Sequence, residues 1–274
     1  MRILCLHGQG TSAQIFKSQT VALRNKLPSH YTFDFLDAPF HCSPAPGIKV
    51  LFSSGTYTWW PRPTINAIRG AHQYMLDHIE SHGPYDAVMG FSQGCSLIIS
   101  YLLYHARETP SEPLPFRAAI FICGGLPLQV LEDLDLPVSQ KAYEINDETV
   151  RLLKARAGAL TALAADPSRI TPGTGLWDEL EGLVHDPEVM PDEEDVFGLD
   201  FTIIPRDMRV KIPTVHVYGA KDPRWPASMQ LAHFCERREM YDHRGGHDIP
   251  RSTDVSVKIA QLVEGLAEKV GVKG

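Results

Sequence analysis

An α/β fold with a mostly parallel central sheet flanked by helices is predicted by two observations. Short apolar runs of β character alternate with helical patterns along the chain. The helical patterns are one-sided, as elements covering a sheet must be. "RILCLH" opens the first strand, and a second falls around Thr32–Leu36 within "YTFDFLDAP". "YDAVMGF", "AAIFICGG" and "TVHVYGA" supply three more, and "REMYDHRGG" adds a sixth at the edge. Between the second and third strands, Ile65, Ile68, His72, Met75 and Ile79 recur at helical spacing until Gly83-Pro84 ends the element. Val255, Ile259, Leu262, Leu266 and Val270 form a similar stripe in the last helix, which is expected to cover the sheet.

With 274 residues the chain can bury a full core, and residues 1–274 read as one domain. Two stretches break the rhythm. The first, Pro39–Pro63, is rich in turn residues and aromatics and reads as a loop. Its Tyr57, Trp59 and Trp60 are candidates for lining a pocket, a packed satellite core being the alternative. The second, about residues 127–211, reads as an insertion between two core strands with the character of a lid or cap. It contains a helix predicted over Glu148–Ala165 and the acidic run "DPEVMPDEEDVFG", read as a solvated face.

The formal net charge of −7 argues against broad binding to nucleic acid or anionic membrane. No apolar stretch approaches the roughly 18–20 residues of a membrane span, and "MRILCLHGQG" is too short in its apolar part for a signal sequence. The five cysteines are odd in number and lack a CxxC pair. They suit a reducing, cytoplasmic location and read mostly as small buried hydrophobes.

The chemistry centres on "GFSQG", residues 90–94, which fits G-x-S-x-G. A β-like run precedes it and a helix-compatible run, Cys95–Leu103, follows, so Ser92 is expected on a sharp strand-to-helix turn with its hydroxyl clear of the backbone. Without that turn it would be an ordinary N-cap serine. A serine nucleophile needs a base, and the base needs an orienting acid. Asp222 follows the apolar strand of "VHVYGAKDPRWP", and His247 follows two glycines in "YDHRGGHDIP". Asp248, and Asp242 with His243, are local rivals. Backbone amides of Gln93 and of the first loop, at Gln9 with Gly10 or Thr11 as alternatives, are candidates for an oxyanion hole. His7 is expected to support that loop, and His72, His78 and His82 to be structural.

No G-x-G-x-x-G, G-x-x-x-x-G-K-[ST] or H-E-x-x-H pattern occurs, and no cofactor or metal is expected.

"ILCLHGQGTSAQIF", "SSGTYTWWP", "GPYDAVMGFSQG", "PTVHVYGAKDP" and "RGGHDIP" together resemble the fungal FSH family of serine hydrolases. This α/β-hydrolase group is related to human ovarian-cancer-associated esterase-like proteins and to stand-alone thiohydrolases of fungal polyketide clusters. The resemblance implies Ser92 as nucleophile, Asp222 as acid, His247 as base and the Gln9 backbone as oxyanion donor, and places the loop after the second strand at the acyl pocket. It also implies a polyketide or fatty acyl thioester substrate in secondary metabolism, with an acyl carrier protein as a possible partner. A carboxylesterase for small esters fits the same residues. A lyase or cyclase using His247 as base, or a binding protein on the same scaffold, are the readings from other classes. Trp225, with Met229 and Phe234, is a further candidate for the cleft wall, although such a stripe also fits helix core.

Overall fold

The computed structural model describes residues 1–48, 52–165 and 177–272. Residues 49–51 of the aromatic loop and 166–176 of the insertion lie outside the described residues. Six parallel strands form the central sheet: β1 Arg2–Leu6, β2 Thr32–Leu36, β5 Ala87–Phe91, β6 Ala118–Ile122, β7 Thr214–Tyr218 and β8 Arg238–Asp242. Their order is β2-β1-β5-β6-β7-β8, so the strand read as the sixth lies at an edge. β1 pairs with β2 on one side and with β5 on the other, Ile3 facing both Phe33 and Ala87. The loops after β1 and β5 therefore flank the point where the strand order reverses, which is where open α/β sheets gather their sites.

Alternate side chains of each inner strand enter two separate cores. Ile3, Cys5, Ala87, Met89, Ala118, Ile120, Val215 and Val217 point to one face, where Phe16, Leu23, Ile259, Val263 and Leu266 cover them. Those covering residues come from α1 Ala13–Gln19, α2 Val21–Arg24 and α8 Thr253–Lys269. Leu4, Leu6, Val88, Ala119 and Phe121 point to the other face. There they meet α3 Ile65–His82, α4 Gln93–Glu108, α5 Leu128–Asp133 and α7 Trp225–His233. Sheets buried on both faces require apolar residues on both, which explains the near-continuous apolar strands.

Two expectations change in detail. The aromatic stretch is not all loop, because Phe40–His41 (β3) and Tyr57–Thr58 (β4) pair as a short antiparallel ribbon. The helix predicted over 148–165 spans Gln140–Ala165 (α6), starting eight residues earlier by these bounds. Its polar first turns have few apolar positions to register a helical period, yet Ala142 is buried in the core. The insertion leaves the sheet after β6 and rejoins it at β7.

Candidate active site

Ser92 stands between β5 and α4 with φ 51° and ψ −113°. A positive φ costs a non-glycine residue about 1–3 kcal/mol and persists only where surroundings impose it. The Ser92 N–H donates to the Ile122 carbonyl at 3.1 Å, and the Ser92 carbonyl accepts from the Cys95 N–H at 3.0 Å. The flanking glycines serve close approach, since neither has a positive φ. A Cβ on Gly94 would lie 2.1 Å from the Leu6 carbonyl oxygen, and one on Gly90 2.7 Å from the Cys95 nitrogen. The turn's strain thus falls on the serine itself.

Asp222 lies beyond β7 and is fully buried. One carboxylate oxygen, Oδ1, accepts the Arg224 backbone N–H at 2.7 Å. The other, Oδ2, lies 2.7 Å from His247 Nδ1. His247 Nε2 is 2.9 Å from Ser92 Oγ, completing a row of hydrogen bonds across three strand ends. The Phe91 ring, 5.4 Å away between centroids, packs beside the imidazole. Because the carboxylate only accepts, Nδ1 carries the proton and Nε2 is left to accept from the serine hydroxyl. That arrangement can deprotonate the hydroxyl as it attacks an electrophile.

The rivals are placed elsewhere. Asp242 Oδ1 accepts from the Ala220 and Arg244 backbone amides at 3.0 and 2.7 Å, clamping the strand-end loops. His243 is buried, which lowers its pKa, and its Nε2 lies 3.8 Å from Asp248 Oδ1.

On the opposite side, the first loop turns at Gln9. The Gly10 N–H donates to the Tyr57 carbonyl at 3.0 Å, so that amide is already engaged. His7 Nδ1–H donates to the Gly8 carbonyl at 2.8 Å, and Nε2 accepts the Ala38 N–H at 3.0 Å. Burial lowers the His7 pKa and keeps this ring neutral in its supporting position.

The aromatic residues expected at the pocket are mostly buried. Tyr57 is half-buried, its ring 4.6 Å from that of His41. Trp59 is fully buried, and its indole N–H donates to the His7 carbonyl at 2.8 Å. Trp60 is buried beside it. Trp225 is buried too, stacked on His185 at 4.6 Å with Phe197 edge-on. Met229 and Phe234 are core residues. All three tryptophans belong to the hydrophobic cluster on the same face of the sheet.

Other contacts had little or no sequence signal. The Gln93 side chain accepts the Trp59 N–H at 3.1 Å and donates through Nε2 to the Trp60 carbonyl at 3.3 Å. Its Oε1 also lies 3.0 Å from the Thr58 hydroxyl, so it ties the serine turn to the aromatic segment. Cys123 follows β6 with φ 47°, and its thiol lies 3.6 and 3.5 Å from the carbonyls of Gly246 and Asp248, on either side of His247. Its position at the carboxyl end of a core strand was its one visible clue. Among the described residues, Cys123, Asp222 and His247 bring one potential ligand atom each within 4.8 Å of one another. A cation there would have to break the Asp222–His247 bond and ionise a thiol that burial holds protonated.

The chain matches the profile of the family described as Serine hydrolase (FSH1) over residues 1–259. It is 30% identical over 279 residues to Esterase FPY3 of Fusarium mangiferae, covering 100% of this chain and 98% of that one. It is 28% identical over 271 residues to Hydrolase FUB4 of Fusarium oxysporum f. sp. lycopersici, covering 96% and 97%. Among solved structures it is similar to MenH from S. aureus, with a TM-score of 0.49 and 12% identity over 98% of this chain and 94% of that one. The profile spans all six strands of the central sheet, both loops that flank Ser92 and the first two turns of the last helix. The chain is therefore an enzyme built on a parallel six-stranded sheet flanked by helices, and it belongs to the FSH1 serine hydrolase family.

Proposed function

We propose that this enzyme cleaves acyl thioesters or esters through Ser92, His247 and Asp222. The unbroken row from Asp222 Oδ2 to His247 to Ser92 Oγ, at 2.7 and 2.9 Å, carries the reading. His247 Nε2 takes the hydroxyl proton as Ser92 Oγ attacks the acyl carbon. The carbonyl oxygen becomes a tetrahedral oxyanion, received by the backbone N–H groups of Gln93 and Gln9. The engagement of Gly10 with Tyr57 favours Gln9 as the first-loop donor. One such donor is worth about 2.7–4 kcal/mol to the transition state.

His247 then returns its proton to the departing alcohol or thiol as the carbon–heteroatom bond breaks. Water next attacks the acyl-Ser92 ester, giving its proton to His247, and the serine leaves with that proton as the carboxylic acid forms. Asp222 keeps the proton on Nδ1 and stabilises the imidazolium at both steps.

The substrate class we favour is a polyketide or fatty acyl thioester of secondary metabolism, either free or borne by an acyl carrier protein. Its support is the family resemblance, and the names of the fungal relatives reach only as far as esterase and hydrolase. A cytoplasmic site of action fits the five free cysteines, four of them buried. Among the described residues, no helix is long and apolar enough to cross a membrane.

The test is kcat/KM for matched pairs of acyl N-acetylcysteamine thioesters and oxygen esters, with wild type beside Ser92→Ala. Turnover of thioesters above esters, lost in the variant, supports the reading. Equal turnover by Ser92→Ala overturns it, and an ester preference moves the substrate to small carboxylic esters.

A further inference from the structure

The loop that carries His247 contains two adjacent glycines, and neither has a positive φ. Backbone conformation therefore does not require them. At Gly245, a Cβ would lie 2.8 Å from the His243 ring. At Gly246, a Cβ would lie 2.0, 2.2 and 2.5 Å from Cδ2, Cγ and Cε3 of Trp177. Those separations are far inside carbon–carbon contact, so the indole already occupies the place of a side chain at 246. Trp177 belongs to the insertion, and Gly246 immediately precedes His247.

Neighbouring contacts extend the same fastening. Lys221 Nζ lies 2.7 Å from Asp178 Oδ1, and the Lys221 N–H donates to the Gly245 carbonyl at 3.0 Å. Arg156 of α6 donates to the Glu181 carbonyl at 3.0 Å and to the Lys221 carbonyl at 3.5 Å. His185 Nε2–H donates to the Ala220 carbonyl at 2.8 Å. Residues 177–185 are thus joined both to the loop before Asp222 and to the loop before His247.

We infer that Trp177 is a positioning residue, acting through Gly246 to hold the His247 imidazole between Asp222 and Ser92, so that the insertion is part of the catalytic scaffold. The inference rests on the proposed role of His247 as the base. A side chain that merely shielded substrate would not need the one position beside His247 to be bare of a Cβ. An indole laid on that backbone limits how far the loop can retreat from Ser92.

The experiment is a cycle of Trp177→Ala, Trp177→Phe, Gly246→Ala and the double variant Trp177→Ala/Gly246→Ala, measured on one activated ester across pH. For Trp177→Ala we expect kcat to fall about tenfold to hundredfold, the scale of a small misplacement at a reacting group. KM should change by less than about twofold, as expected when ground-state binding is untouched. Trp177→Phe should recover most of kcat. Gly246→Ala should be severely impaired alone and improved by Trp177→Ala, because the space the methyl needs has been vacated. Unchanged kcat in Trp177→Ala, or equal damage from Gly246→Ala with and without Trp177, overturns the inference. Should Trp177→Ala fail to fold, Trp177→Leu, alone and combined with Gly246→Ala, replaces it in the same comparison. A parallel Ser92→Ala control separates the failures: turnover retained there removes the role of His247, whereas turnover lost there with an inert Trp177→Ala removes only the positioning claim.

Discussion

The two carboxylate oxygens of Asp222 are divided between His247 Nδ1 and the Arg224 backbone N–H, each at 2.7 Å, and the residue is fully buried. Asp222→Asn preserves the shape but puts an amide where two donors already point. Either the imidazole adopts the wrong tautomer or a donor is left facing a donor. We predict that kcat falls by about 10³–10⁴ with the fold retained, as measured by steady-state kinetics alongside circular dichroism. A loss below tenfold would mean that His247 does not depend on Asp222.

Gly94→Ala places a methyl 2.1 Å from the Leu6 carbonyl oxygen, which β1 backbone holds in place. Overpacking against backbone costs about 1–3 kcal/mol or more. The predicted outcome is a lower midpoint in chemical denaturation together with a loss of turnover larger than the stability change explains, because α4 and Ser92 move as one. A variant as stable and active as wild type would remove the close-approach account of this glycine.

Gln93→Ala removes the acceptor of the Trp59 N–H and the ties to Thr58 and Trp60. An amide left without a partner in a buried segment costs about 1–3 kcal/mol. Gln93→Glu keeps an acceptor for the Trp59 N–H and should retain more stability than the alanine variant in urea unfolding. Equal stability of the two would show that this acceptor contributes no more than the loss of the Nε2 donor to the Trp60 carbonyl costs.

His72 is buried, with Nε2 2.7 Å from Ser100 Oγ, and burial lowers its pKa from 6.5 to about 4. The unfolded chain then binds a proton that the folded chain refuses. Stability from this group is whole above pH 6.5 and is lost as pH falls toward 4, where the loss levels off. The limiting slope is about 1.4 kcal/mol per pH unit. Urea unfolding of His72→Gln between pH 6.5 and 4 should show a shallower slope than wild type, and an identical slope would contradict a neutral buried His72.

The sheet was legible because each inner strand is buried on both faces and must be written in apolar residues. Thr32–Leu36, named from the sequence, is the observed second strand. Ser92, Asp222 and His247 were legible because each ends or follows a strand with a local signature, and the structure brings the three side chains together. Trp59 and Trp225 were harder, since a tryptophan in a loop or at a helix start has the same composition whether it lines a cleft or packs beneath one. The contacts of Gln93 with Trp59, of Cys123 with the His247 loop and of Trp177 with Gly246 join residues 34 to 125 positions apart and follow no local periodicity. Only the folded backbone brings them into view.

We propose Ser92 as the nucleophile of this hydrolase, activated by His247. Intact-protein mass spectrometry after incubation with a fluorophosphonate, followed by peptide mapping, tests it most directly. We predict one adduct per chain on the peptide that contains Ser92, no adduct on Ser92→Ala, and a labelling rate in His247→Ala reduced by orders of magnitude. A folded wild-type protein that takes no label, or a Ser92→Ala protein that takes it as well as wild type, would contradict it.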